Sequence, residues 1–216
     1  MIIDILASGS SGNVAVVHAA NKTFLIDCGK PFNWINDRLN YELPDAILIT
    51  HEHCDHAKSV RQFLYRNVDI FATYGTIDAL DLDGAINAWE ISAWDVFYID
   101  DVKIIPIPSK HDAAEPVNFI LEDRTDRVLF ATDTGEIPPV DGIFTKIFLE
   151  ANYSTDALLK SDLNPFAQAR IFENHLSFED ACKFLSHYPD ADITLLHISQ
   201  RHGDKDTFYS LLERSF

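Results

Sequence analysis

The sequence predicts an α/β protein in which antiparallel or mixed β-sheets are covered by helices. Two observations support this prediction. Short apolar, β-branched segments recur at hairpin spacing through the first two thirds of the chain, and helical periodicity dominates its last third. The length of 216 residues fits a single domain spanning 1–216, and a 47 % share of apolar residues is enough for a sizeable core.

The first third of the chain is predicted to consist mainly of strands. They lie at 2–6, 14–18, 23–27 and 46–50. The segment SGSSGN at 8–13 is predicted to be a turn, because its glycines can adopt positive φ. A helix is predicted over 57–66, where apolar residues recur at helical spacing.

The middle of the chain repeats the strand pattern, and the end turns helical. Strands are predicted at 69–72, 97–99, 102–107, 117–122, 127–132 and 145–149. A helix at 177–188 is expected to start after Ser177 as its N-cap. Its apolar stripe comprises Phe178, Ala181, Phe184 and Leu185. A buried strand at 192–197 and a closing helix at 204–216 complete the prediction.

Potential metal ligands cluster in the segment THEHCDH, 50–56, which holds His51, His53, Asp55 and His56. The pattern has a chance expectation of roughly 0.002 at this composition, which argues against an accidental histidine-rich turn. Other candidates follow apolar runs elsewhere in the chain. These are His111, Asp133 and His197. A site built on strand ends inherits the rigidity of the sheet.

The chemistry of these side chains indicates a catalytic metal site. Imidazole and carboxylate ligands suit zinc, manganese or iron, and the lack of thiolates argues against a purely structural zinc site. A carboxylate such as Asp133 can bridge two cations about 3.5–4 Å apart, which can share a hydroxide and stabilise an oxyanion. The sequence therefore predicts two divalent ions, zinc foremost, with manganese or iron as alternatives.

Composition restricts the partners and the compartment. The formal net charge of −17 repels phosphate-rich polymers, so a nucleic-acid substrate is possible but disfavoured. The three cysteines are widely spaced and form no CxxC motif, which argues against a disulfide framework. The N-terminal segment does not resemble a signal peptide, and no apolar run is long enough to span a membrane. The expectation is a cytoplasmic protein without membrane partners.

Five motifs in order along the chain resemble those of the metallo-β-lactamase-fold hydrolases. They are LIDCG at 25–29, THEHCDH at 50–56, SKHD at 109–112, ATDTG at 131–135 and LLHISQ at 195–200. The resemblance implies a four-layer αββα sandwich with two mixed β-sheets flanked by helices and metals at one edge. It also implies that Asp27 supports the histidine segment from behind.

The resemblance further implies how the ligands divide between two ions. One ion would be bound by His51, His53 and His111. The other would be bound by Asp55, His56 and His197. Asp133 would bridge the two. Cys54 stands at a variable position of the motif and is not assigned as a ligand, and His202 has no motif of its own.

Within the superfamily the chain is more similar to the YycJ/WalJ-like branch and, more distantly, to ribonuclease Z. LASGSSGN near the N-terminus is typical of the former, and NHLSFEDA at 174–181 resembles a second histidine motif of phosphodiester-cleaving members. The resemblance implies that His175 donates a proton or stabilises the transition state, with Glu150 as its partner and Asp55 as a further catalytic residue. The chain departs from the branch at RHGD, 201–204, and lacks the basic arm of ribonuclease Z.

Three functions are compatible with these observations. The first is a dinuclear metal-dependent phosphodiesterase or nuclease, in which a hydroxide attacks phosphorus. The second is a hydrolase of a small carbonyl substrate such as a thioester, lactone or β-lactam, which the acidic surface favours and the HLS segment disfavours. The third is a metal-stabilised binding protein without activity. Lys58, Lys110, Arg170 and Arg201 could contact a phosphate but are expected to be solvated.

Overall fold

A computed structural model describes residues 1–19 and 21–212. The end of the predicted closing helix, 213–216, lies outside the described residues. None of the helices in the described part of the chain is both long enough and apolar enough to cross a membrane. The described residues form two compact units. The first comprises Met1–Pro108 and Ala113–Thr125, and the second comprises Ser109–Asp112 and the chain from Asp126 onward.

Twelve strands of the described residues are grouped in two six-stranded sheets, β1–β6 and β7–β12. The strands of the first sheet are β1 (Ile2–Ala7), β2 (Val14–Ala19), β3 (Lys22–Ile26), β4 (Ala46–Leu48), β5 (Asp69–Thr73) and β6 (Ala88–Ile91). Those of the second are β7 (Phe97–Ile99), β8 (Val102–Pro108), β9 (Val117–Glu122), β10 (Arg127–Ala131), β11 (Lys146–Glu150) and β12 (Asp192–Leu196).

Eight helices connect or follow these strands in the described residues. They are α1 (Phe32–Arg38), α2 (Cys54–Ala57), α3 (Val60–Leu64), α4 (Tyr74–Ala79), α5 (Thr155–Leu159), α6 (Pro165–Asn174), α7 (Phe178–Leu185) and α8 (Lys205–Leu212). Both sheets mix pairing types: β1–β2–β3 and β7–β8–β9 are antiparallel, whereas β3–β4–β5–β6 and β10–β11–β12 are parallel. The predicted pair of mixed sheets with flanking helices is therefore confirmed.

The core of the first unit forms where helices cover the first sheet. Ile47 and Ile70 on the parallel strands β4 and β5 are fully buried. Ile35 of α1 and Phe63 of α3 belong to the same hydrophobic cluster. Strand β4 is buried at every position, as expected for a central parallel strand covered on both faces. This packing gives a rigid base to the histidine-rich segment that follows β4.

In the second unit, α7 and α8 pack against each other, and the Tyr209 hydroxyl of α8 accepts a hydrogen bond from the backbone N–H of Leu195 in β12. Phe178 of α7 and Phe208 of α8 are buried and stack with their ring centroids 4.2 Å apart. The Ser177 hydroxyl accepts a hydrogen bond from the backbone N–H of Asp180, so the predicted N-cap of this helix is confirmed. Phe184, predicted to belong to the buried stripe, is only half-buried, because its ring borders a cleft instead of the core.

Several predicted boundaries were wrong. The helix expected over 57–66 is the shorter α3, Val60–Leu64, and Ala57 instead ends α2, because Ser59 between the two helices turns toward the loop after β3. Its N–H donates to the carbonyl of Cys28 over 3.1 Å, and its hydroxyl donates to the carbonyl of Lys30. Five elements were not predicted at all: α1, α4, β6, α5 and α6. The prediction of one domain over 1–216 stays a prediction.

Candidate metal centre

Three residues of the candidate site lie just after a strand and have left-handed backbone conformations. Asp27 follows β3, Asp133 follows β10 and His197 follows β12, with φ of 62°, 42° and 50°. This region is uncommon for residues other than glycine and costs about 1–3 kcal/mol for each residue that occupies it. The strained turns redirect each side chain at the end of a buried strand, as is typical of functional sites.

In the first unit, the segment after β4 holds its histidines close together. The ring centroid of His51 lies 4.6 Å from that of His53 and 4.1 Å from that of His56. His51 and His56 are buried, whereas Asp55 is partly exposed. The structure thus brings together the four residues that the sequence pattern singled out in this segment.

Asp27 supports this segment from behind. One carboxylate oxygen, Oδ2, lies 2.7 Å from Nδ1 of His56, and the other, Oδ1, accepts a hydrogen bond from the backbone N–H of Thr50 over 2.9 Å. The Thr50 hydroxyl also donates to the carboxylate and lies 3.0 Å from Nδ1 of His51. Burial raises the pKa of Asp27 despite the opposing influence of His56. The contacts fix the orientation of both imidazole rings.

Asn13 is a supporting residue that the sequence reasoning missed, since the segment 8–13 was interpreted only as a turn. Its backbone N–H donates to the carbonyl of Asp55 over 2.7 Å, and its Nδ2 lies 2.8 Å from Nε2 of His56. Gly29 packs beneath the same carbonyl, where an added Cβ would lie 1.7 Å from the Asp55 oxygen. The turn therefore holds the ligand segment in place, and glycine is required beneath it.

The second unit brings together Asp133, Glu150, His175 and His197. One potential ligand atom from each of these residues lies within 4.8 Å of the others. Nδ1 of His197 lies 2.8 Å from Asp133 and 2.9 Å from Glu150, and Nδ1 of His175 lies 2.7 Å from the same Glu150 oxygen. Glu150 is fully buried and His197 nearly so, whereas the side chain of His175 is 20 % exposed.

The charges of this group stabilise one another. Burial would raise the pKa of Glu150, but His175 and His197 outweigh it and lower that pKa. Burial would lower the pKa of His197, but Asp133 and Glu150 raise it to about 10. The pKa of His175 is likewise raised, because Glu150 outweighs the effect of burial. Glu150 is therefore an anion that favours positive charge on both rings.

Glu150 also connects two loops of the second unit. Its Oε2 accepts hydrogen bonds from the backbone N–H of Thr134 over 2.8 Å and of Leu176 over 3.1 Å. Thr134 follows Asp133 and Leu176 follows His175. A single buried carboxylate thus fixes the position of two predicted site residues and faces the rings of two histidines.

His111 lies beside this group. Its ring centroid is 5.2 Å from that of His175, and its Nδ1 is 3.0 Å from the carbonyl of Asn174, to which it can donate. Burial lowers the pKa of His111, with Asp133 opposing. Its neighbour Asp112 is contacted by Nε and Nη2 of Arg170, each over 2.6 Å. Arg170, considered above as a possible phosphate contact, is exposed but paired with this carboxylate.

Asn152 was also missed by the sequence reasoning. Its Nδ2 donates to the carbonyl of His197 over 2.8 Å and lies 3.0 Å from Nδ1 of the same residue. No feature of the LEANY segment other than proximity to Glu150 pointed to this role. Cys54 is exposed, and Lys110 makes an exposed ion pair with Glu136 at 3.7 Å.

The donor chemistry of both units fits divalent metal ions. The Nδ1 atoms of His51, His56 and His111 each face a hydroxyl, a carboxylate or a backbone carbonyl within 3.0 Å. Such contacts fix the orientation and tautomer of a metal-binding imidazole and direct Nε2 to the ion. Asp55 in the first unit and Asp133 in the second each add carboxylate oxygens, and zinc, manganese and iron accept nitrogen and oxygen donors of these kinds.

Comparison with known proteins gives a consistent family assignment. The model of a family described as the β-lactamase superfamily domain matches residues 22–198. An exodeoxyribonuclease YycJ of Bacillus anthracis is 29 % identical over 195 residues, which cover 82 % of this chain and 73 % of the relative. An exodeoxyribonuclease WalJ of Streptococcus pneumoniae serotype 2 is 30 % identical over 199 residues, which cover 83 % and 73 %.

Solved structures share the fold at lower identity. The metallo-β-lactamase fold protein YhfI from Bacillus subtilis is similar with a TM-score of 0.79 at 13 % identity, covering 99 % of this chain and 92 % of the other. The short form of human tRNase Z is similar with a TM-score of 0.67 at 15 % identity, covering 92 % and 93 %. The predicted fold class is confirmed by these likenesses.

Proposed function

Because the chain belongs to the β-lactamase superfamily domain family and, within it, to the group of YycJ and WalJ, we propose that it is a metal-dependent nuclease that cleaves phosphodiester bonds of DNA. The relatives are named exodeoxyribonucleases, which supports DNA as the substrate class and attack from a strand end. One observation of this chain carries the proposal: the His175–Glu150 pair lies beside Asp133 and His197.

The proposed ligand sets are those implied by the motifs. His51, His53 and His111 would hold one divalent ion, Asp55, His56 and His197 would hold a second, and Asp133 would be a ligand common to both. When bound, two such ions polarise the phosphoryl oxygens and lower the pKa of an attacking water. The supporting contacts of Asp27 and Asn13 hold the histidine segment in a fixed shape. Preformed ligands reduce the reorganisation that binding requires.

His175 is proposed to donate a proton to the departing alkoxide. Glu150 contacts Nδ1 of its ring over 2.7 Å, which orients the opposite nitrogen, Nε2, toward the substrate. Glu150 raises the pKa of His175 against the effect of burial, which favours the protonated ring that a general acid requires. Its partial exposure permits contact with a substrate, whereas the fully buried Glu150 acts through His175.

Steady-state hydrolysis of two substrates tests this function. A single-stranded DNA oligonucleotide and bis-p-nitrophenyl phosphate are compared with added Mn²⁺ or Zn²⁺, using wild type, Asp133→Ala and His175→Ala. We expect Asp133→Ala to abolish hydrolysis of both substrates. His175→Ala should lower kcat on DNA by about 10²–10⁴-fold, the usual contribution of general acid catalysis. Its effect on bis-p-nitrophenyl phosphate should be much smaller, because p-nitrophenolate departs without a proton.

His18→Ala is the matched control, since His18 is a surface histidine on β2 of the first unit. Equal losses on both substrates in His175→Ala would contradict its role as proton donor. Turnover of a lactone or thioester panel with no turnover of either phosphodiester would overturn the nuclease proposal and favour the carbonyl hydrolase.

A further inference from the structure

We propose that a cleft of the second unit binds a nucleobase of the DNA strand, an inference that rests on the nuclease function proposed above. The cleft encloses about 390 Å³. Its apolar lining includes Ile137, Leu176 and Phe184, and its polar lining includes Glu136, Asp180 and Lys183. This volume falls in the range of about 300–1,000 Å³ that is typical of small-molecule sites.

Two residues that line the cleft are neighbours in the chain of proposed catalytic residues. Leu176 directly follows His175, so their Cα atoms are about 3.8 Å apart. Gly135, also in the lining, is two residues beyond Asp133, at most about 7 Å along the chain. Backbone N–H groups of Thr134 and Leu176 donate to the same carboxylate of Glu150. We infer that a nucleotide whose phosphate lies at His175 and Asp133 extends its base past Gly135 and Leu176 into this cleft.

The floor of the cleft suits a flat aromatic ligand. Phe184 is half-buried, and its ring centroid lies 5.1 Å from that of Tyr188, which braces it from one side. Leu176 is 5 % exposed and supplies a fixed apolar surface. Every nucleobase has a π-face, so stacking on an aromatic side chain tolerates any sequence, as a nuclease without base specificity requires.

Polar groups at the rim of the cleft can form hydrogen bonds with the edge of a base. Carboxylates of Glu136 and Asp180 can accept hydrogen bonds from exocyclic amino groups, and the Lys183 ammonium can donate to ring carbonyls or nitrogens. Asp180 is held in place by the Ser177 hydroxyl, which donates to its Oδ2 over 2.8 Å. Asp180 and Lys183 lie on α7, whose N-terminus is capped by Ser177, and Glu136 lies in the segment after β10.

Charge explains why base binding is needed in this chain. A protein with a formal net charge of −17 gains little from general attraction to a phosphate backbone. A nucleobase is uncharged, so stacking and hydrogen bonding in the cleft supply affinity that the surface field does not oppose.

Isothermal titration calorimetry on the Mn²⁺-loaded protein tests the inference. The two probes are 2′-deoxyadenosine 5′-monophosphate and 2-deoxyribose 5-phosphate, which share the phosphate and sugar but differ in the base. We expect the wild type to bind the nucleotide at least tenfold more tightly. Phe184→Ala should reduce this preference to less than threefold, and Lys183→Glu should weaken nucleotide binding severalfold. Lys160→Glu, an exposed lysine on the same unit, is the matched control and should retain the tenfold preference.

Equal binding of the two probes by wild type would overturn the inference, as would a full tenfold preference in Phe184→Ala. If Phe184→Ala does not fold, as judged by circular dichroism, Phe184→Leu and the exposed Lys183→Glu replace it, with the same criteria. Failure of the base-binding proposal can be distinguished from failure of the nuclease proposal. Hydrolysis of DNA without a base preference overturns the cleft alone, whereas a base preference without hydrolysis overturns the nuclease function alone.

Discussion

At the scale of single residues, the site depends on which ring nitrogen of each histidine carries the proton, and the supporting groups determine this. A carboxylate can only accept, so Asp27 at 2.7 Å requires the proton of His56 to reside on Nδ1. Nε2 of the same ring then carries the lone pair that a metal-binding histidine needs, and in this structure the Asn13 amide, 2.8 Å away, donates to it. The identity of Asp27 as an acid therefore determines whether His56 can act as a ligand.

Asp27→Asn tests this dependence. Asn tolerates the left-handed backbone at this position, so the fold should persist. The backbone N–H of Thr50 holds Oδ1, which places the new amide NH₂ opposite Nδ1 of His56 and forces the proton onto Nε2. We expect zinc affinity, measured by competition with a chromogenic chelator, to fall about 10–100-fold.

Asp45→Asn controls for the loss of one acidic charge, since Asp45 is partly exposed and pairs with Lys22 instead of a histidine. It should bind zinc as wild type does. An unaltered zinc affinity in Asp27→Asn would show that the tautomer of His56 does not control binding.

The three cysteines should differ in reactivity. Burial, assisted by the charge of Asp27, raises the pKa of Cys28, so its thiol stays protonated at pH 8, and only the thiolate is nucleophilic. Cys54 is exposed, and Cys182 is partly buried with a raised pKa. With a chromogenic thiol reagent at pH 8 we expect one fast reaction, lost in Cys54→Ser, and no reaction of Cys28 until the protein is unfolded. Rapid labelling of Cys28 in the native protein would contradict this.

At the scale of elements, the start of α7 should contribute measurably to stability. The Ser177 hydroxyl accepts from the N–H of Asp180 over 3.0 Å, and loss of such a cap costs about 1 kcal/mol. Ser177→Ala should lower the free energy of unfolding in urea by about that amount. Ser154→Ala is a matched control, because Ser154 stands at the N-cap of α5 without a side-chain cap bond. Equal losses in the two variants would contradict the capping role.

Most strands could be predicted from the sequence because burial on one or both faces leaves apolar, β-branched runs that stand out from their surroundings. Elements without such an apolar pattern in the sequence were not predicted. Helix α6 has no buried residue, and α1 is only seven residues long with Ile35 as its one fully buried residue, so the apolar pattern of each is short or weak. The break between α2 and α3 is caused by hydrogen bonds of Ser59 with residues 28 and 30, contacts that local periodicity does not report.

The candidate ligands were predictable, but their supports were only partly so. His51, His53, Asp55 and His56 form a dense local pattern, and His111, Asp133 and His197 follow apolar runs. Asn13 and Asn152 are ordinary amides in short polar segments, and their contacts with the ligand histidines arise only on folding. The half-buried position of Phe184 could not be predicted either, because an aromatic residue in an apolar helical stripe usually faces the core.

At the scale of the whole molecule, charge should govern how activity responds to salt. Two divalent ions would reduce the formal net charge of −17 only to −13. A single-stranded oligonucleotide therefore approaches against a repulsive field, which added salt screens over a Debye length of about 30 Å at 0.01 M and about 10 Å at 0.1 M. For basic nucleic-acid-binding proteins the effect is opposite, since salt weakens their attraction to phosphates.

We accordingly expect kcat/KM on an oligonucleotide to rise severalfold as NaCl increases from about 10 to about 100 mM, because the Debye length shortens threefold over that range. A dinucleotide, with one internucleotide phosphate, should respond much less, since repulsion grows with the number of charges that approach together. Initial rates at substrate concentrations well below KM measure this directly. A steep fall of kcat/KM with salt on the oligonucleotide would mean that a local cluster of cations overrides the net field. Such a result would also remove the electrostatic reason for the base-binding cleft, because attraction to the backbone would then suffice to hold the strand.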